Sequence, residues 1–243
     1  MWGKWIDCRV RPGAREAFAA GQRRWSAISD QPGLIGQTGG WAAGGDRALL
    51  LALWSDEPAY ARFLRERHDR AAADTSQQGS YTAIEVADGP VVLTMPGAAP
   101  SLPAALARAT LLRAADCRLH PGRAGHFLDV QREVWAPGMA AADGMLGGTV
   151  TRLAPDRHLV TTLWTTPAAH HAYTTHHLPA LLARAGVPTD VRTLTGHLLP
   201  LEPSWRVRGN RGPLVLRQRS PSEPREPEPL PPPRRRTGPQ PES

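Results

Sequence analysis

Asp7 and Arg9 flank Cys8, and Asp116 and Arg118 flank Cys117 in the same way. Residues two apart on an extended chain share a face, so each half of the sequence can present a carboxylate beside a guanidinium. Such a carboxylate, its pKa set by burial against the arginine, can take a proton, while Arg9 or Arg118 holds an anionic or carbonyl group. The same residues can be purely structural, with Asp7 closing on Arg118 and Asp116 on Arg9, or each pair closing within its own strand. Buried charges need partners whatever they do, and the recurrence of the pattern in both halves favours the structural alternative.

Trp54 and Trp164 close equivalent strands, and either could stack on an aromatic ligand at a pocket mouth or simply fill a core. Alternation pairs them with Ala52 and Thr162 and predicts the same inner side as the Asp/Arg pairs. His68 follows Trp54 by fourteen positions, late on a helix, as a general base or as an exposed residue well placed for the helix dipole. His170, His171, His176 and His177 are separated by one, five, six and seven positions. A metal-binding helix uses i, i+4, so no metal site is expected. Cys8 and Cys117 read as reduced, separate core residues.

The elements that carry these residues are written twice. Asp7-Cys8-Arg9-Val10-Arg11-Pro12-Gly13 returns as Asp116-Cys117-Arg118-Leu119-His120-Pro121-Gly122. The offset is 109 at Phe18/Phe127 and Gln22/Gln131, 111 at Gly33/Gly144, and 110 at Trp54/Trp164. A repeat this long marks two whole folding units. Each unit shows strand alternation from Lys4 to Arg11, a Pro-Gly stop, a helical pattern through Phe18 or Phe127, two strands and a second helix. A closing strand completes β-α-β-β-α-β, the ferredoxin-like order. The expected organisation is a first unit at 1–95, a linker at 96–110, a second unit at 111–205 and a disordered Pro/Arg-rich tail at 206–243. Two such small units gain by packing on one another.

The formal charge of +7 suggests nucleic acid only until it is located. Nine arginines against four glutamates fall after residue 205, and the rest is near neutral, so no specific nucleic-acid binding is expected. There is no apolar leader and no apolar run long enough for a bilayer, which gives the expectation of a cytoplasmic protein without a membrane span.

The run Gln31-Pro32-Gly33-Leu34-Ile35-Gly36, with Leu53-Trp54-Ser55-Asp56-Glu57-Pro58-Ala59-Tyr60 leading through Phe63 to His68, resembles the dimeric α+β barrel superfamily that includes antibiotic biosynthesis monooxygenases. The Asp-Cys-Arg-Val opening and tandem layout resemble the YdbC-like group within it, whose function is not established. The resemblance implies an α+β fold with two sheets face to face, commonly as a homodimer, and an aromatic substrate or haem in the space between them. One chain supplying both sheets would be a monomeric pseudo-dimer, or a weak homodimer. Haem-degrading relatives combine such a Trp and His with an Asn, and the only Asn here is Asn210. No cofactor is therefore expected, with haem left open. Three functions remain: binding of a small, partly aromatic molecule between the sheets, a cofactor-independent monooxygenase acting on a phenolic or polycyclic substrate, and a structural or interaction module. Whether the chain is an enzyme stays open, with Asp7, Asp116 and His68 as catalytic candidates and Arg9, Trp54, Arg118 and Trp164 as ligand-binding ones.

Overall fold

The computed structural model describes residues 1–210. The first half contains β1 (Trp2–Val10), α1 (Arg15–Arg24), β2 (Leu34–Trp41), β3 (Arg47–Trp54), α2 (Glu57–Phe63), α3 (Asp69–Thr75) and β4 (Tyr81–Met95). A short helix, α4 (Leu102–Arg108), leads to the second half. There β5 (Leu111–Leu119), α5 (Ala124–Val130), α6 (Ala136–Ala140), β6 (Met145–Ala154), β7 (Arg157–Trp164), α7 (Pro167–His176), α8 (Leu178–Ala185), α9 (Val187–Asp190) and β8 (Val191–Pro200) follow, and β9 (Val207–Arg208) comes last. Local chemistry starts several helices: the side chains of Asp56, Ser101 and Thr166 accept from the main-chain N–H three residues on, and a proline stands in the first turn.

The strands run antiparallel in the order β8-β5-β7-β6-β4-β1-β3-β2-β9, so each half contributes the ferredoxin-like arrangement. The end of β4 crosses to the other half and pairs with β6 through Val91–Met95. The opposite seam closes where Gly40 of β2 bridges Leu201, just past β8, and the Glu202 N–H donates to the Gly39 carbonyl at 2.9 Å. The result is an α+β fold in which one nine-stranded sheet is folded so that its two half-sheets share a buried cluster within one chain.

Side chains fill the space between the sheets. Trp5, Leu49, Leu51 and Leu53 of the first half meet Leu112, Leu159, Leu163 and Leu199 of the second in one buried cluster. Ala105, Leu106 and Ala109, from α4 and its end, join it. The expected linker at 96–110 is therefore part of the core. The expected tail start at 206 is also too early. Trp205 packs on Phe18 and Trp41 with ring centroids 5.8 and 5.1 Å apart, and β9 pairs with β2. Arg206 donates to the Ala107 and Ala109 carbonyls at 2.7 and 2.6 Å, meeting the free carbonyls at the end of α4. The remaining tail, 211–243, lies outside the described residues.

Candidate functional site

In β5 the side chains of Ala115 and Cys117 point outward, toward α5 to α9, and pack with Phe127, Trp135, Met139 and Leu181. The packing there is incomplete. A cavity of about 230 Å³ lies between this outer face and the helices. Its wall is mainly apolar, with Phe127, Trp135, Met139 and Val160, and Leu182 and Leu194 at its rim are exposed. Its polar members are Arg113, Gln131, Asp190 and Cys117.

These four groups differ in freedom. Asp190 is buried and held by Arg123 Nε at 2.8 Å and by His126 Nδ1 at 2.7 Å. Burial pushes the Cys117 thiol up to about 12, so it stays protonated and is a poor nucleophile. Gln131 is only 5 % exposed, and its Oε1 has no hydrogen-bond partner among the described residues. Arg113 makes no ion pair among them. Its charge, after burial, helps to hold His170 well below the usual imidazole range. Gln131 also opens a π-helical turn, Gln131–Trp135, an irregularity that often marks functional positions.

The residues singled out from sequence lie elsewhere. Asp7 and Asp116 face inward as expected, but they pair with Arg47 and Arg157 on the adjoining strands, not with Arg118 and Arg9. Arg157 also reaches Glu85 of the other half at 3.0 Å. Arg9 and Arg118 are exposed, because each stands one step further out on its strand. Trp54 and Trp164 correct a second expectation. They are 1 % and 0 % exposed and lie under the helices, on the side opposite the Asp pairs. The register explains this: β1 Trp2 pairs with Trp54 while inward Trp5 pairs with Leu51, and paired residues share a face. Trp54 stacks on Phe63 at 4.9 Å, and His68 closes the same aromatic group against Phe63 and Trp25 while bonding Asp69 at 3.1 Å. None of these residues lines the cavity, which lies outside the paired sheets instead of between them.

Sequence reasoning passed over Gln131 and Arg113. The repeat did contain a signal: a glutamine recurs on the apolar face of the first helix, as Gln22 and Gln131. Haem does not fit the cavity. No histidine lines it, the thiol is protonated, and the volume is below the ~300 Å³ typical of the smallest drug-sized sites.

Residues 3–88 match the model of a domain of unknown function, DUF4937. Over 86 residues the chain is 34% identical to the uncharacterized protein YdbC of Bacillus subtilis (strain 168), covering 34% of this chain and 72% of that protein. A proposed monooxygenase from Lactobacillus acidophilus NCFM superposes with a TM-score of 0.65 at 13% identity, over 85% of this chain and 95% of its own. Another, from Fusobacterium nucleatum subsp. nucleatum ATCC 25586, gives 0.66 at 9% identity over 82% and 91%. At such identities the likeness is one of fold, and it extends over both halves. The identity to YdbC carries the closer relationship: the chain belongs to the YdbC-like family of unknown function.

Proposed function

We propose that the chain binds a small, partly aromatic molecule in the cavity between the outer face of β5 and the helices of the second half. The observation that carries this reading is an apolar, aromatic-walled space with two polar groups, Arg113 and Gln131, whose side chains are unengaged among the described residues. Apolar walls with a few convergent polar groups characterise small-molecule sites. The volume suits one substituted ring, since an engineered apolar cavity of ~150 Å³ already accepts benzene. A monooxygenase function, suggested by the descriptions of the fold neighbours, finds less support. Such chemistry needs a free base beside the substrate, whereas Asp190 is fully engaged and Asp7, Asp116 and His68 lie elsewhere.

Saturation-transfer NMR with phenol and toluene tests the binding. Both should receive magnetisation from the wild-type chain. Val130→Phe, which fills the cavity from a half-buried position on α5, should weaken both at least tenfold, a loss of about 1.4 kcal/mol. Equal binding to the two proteins would refute this location.

A further inference from the structure

The first half holds, inside its own packing, a copy of the group that the second half's cavity lacks. Gln77 is 8 % exposed and projects its carboxamide between the sheet and α1. Its Nε2 donates to the Phe18 carbonyl at 2.8 Å and to Gln22 Oε1 at 3.2 Å. Its Oε1 accepts from Trp25 Nε1 at 3.0 Å. Three protein groups thus satisfy one primary amide, and Gly21 leaves room for it, because a Cβ there would overlap Gln77 Cγ.

The strand registers fix the equivalences. Val10 pairs with Tyr81, and Leu119 pairs with Val191, while the Arg11 N–H bonds to the Ser80 carbonyl as the His120 N–H bonds to that of Asp190. Counting back from these pairs sets Gln77 against Val187. Phe18 and Gln22 correspond to Phe127 and Gln131 in sequence. The π turn at Gln131–Trp135 accommodates one additional residue, which brings Trp135 to the position of Trp25. All three groups that hold the Gln77 amide are therefore present again: the Phe127 carbonyl, Gln131 Oε1 and the Trp135 indole. Only the amide is missing. Val187 and Val130 take the places of Gln77 and Gly21, and both line the cavity. The Gln131 Oε1 that would accept from an amide is the buried atom left without a partner.

We propose that the cavity of the second half recognises a primary carboxamide on a small, flat body, bound as the first half binds the side chain of Gln77. The amide N–H donates to Gln131 Oε1, and its carbonyl accepts from Trp135. The proposal rests on the cavity being a binding site, and it adds the chemical class of the ligand. A buried acceptor left unpaired costs ~1 to 3 kcal/mol, so a donor-bearing ligand gains over an isostere without one.

Benzamide, N,N-dimethylbenzamide, benzoate and toluene, titrated by calorimetry against the full chain, separate the two claims. Benzamide should bind at least tenfold more tightly than the other three. Toluene or the dimethylamide matching benzamide would overturn the carboxamide assignment and leave the cavity reading intact. Benzoate binding more tightly than benzamide would overturn it in favour of an anion held by Arg113, and failure of all four to bind would overturn both claims. Two substitutions test the comparison of the halves. Val187→Gln supplies the amide internally and should reduce benzamide affinity at least tenfold. Gln77→Ala opens the matching site and should raise the stoichiometry from one to two. Unchanged benzamide binding in Val187→Gln would overturn the proposal even if the Gln77 variant failed to fold.

Discussion

His170 is the imidazole most strongly affected by its surroundings in the second half. It sits edge-on to Trp164 at 5.2 Å, with its Nε2 unpartnered. Burial, then the charges of Arg113 and His171, push its pKa down to about 4. The unfolded chain takes up this proton near pH 6.5 and the folded chain refuses it, so the stability is intact above pH 6.5 and declines as the pH falls toward 4. At ~1.4 kcal/mol per unit, the loss attributable to His170 reaches about 3 kcal/mol. Urea titrations at pH 7 and pH 4.5 should therefore show a smaller fall for His170→Phe than for wild type, and identical falls would disprove this account. At the level of residues the sequence was legible where charge broke the symmetry of a strand. Asp7 and Asp116 could be assigned a face because Cys8 and Cys117 occupied the other. Trp54 could not. Residues 48 to 54 are buried on both faces, so alternation gave a parity without a direction, and only pairing with β1 supplied it.

Among the elements, the two that bind the halves together were the least visible beforehand. The segment containing α4 reads as a linker because proline, glycine and alanine dominate it, although Ser101 and Pro103 already form the start of a helix. A helix of seven residues is too short to show a period, and the burial of Ala105 and Leu106 comes from the strands above them. Trp205 is ordered by Phe18 and Trp41, residues far away in sequence, so no local pattern announces it. Trp205→Ala removes a ring that is 1 % exposed and should cost about 4 kcal/mol, read as a lower urea midpoint. An unchanged midpoint would mean that the segment after β8 adds little to the first half.

In the molecule as a whole, both seams that a homodimer would form between subunits are formed inside the chain, one by β4 on β6 and the other at Gly40 and Leu201. Little strand edge is left there for a second copy, and the chain should sediment as a monomer at micromolar concentration. A stable dimer would show that the seams close between chains in solution. The order of the elements followed from the repeat. The divergence of the two halves did not, because it depends on whether the residue opposite the repeated glutamine, Gln22 or Gln131, carries an amide or a methyl group. That divergence bears on how the proposed site would fill. A symmetric homodimer has two equivalent sites, and occupation of one can alter the other. Among the described residues the proposed site has one counterpart, which the chain's own Gln77 already fills, so occupancy should follow a simple hyperbola, passing from one tenth to nine tenths over an about 80-fold rise in ligand concentration.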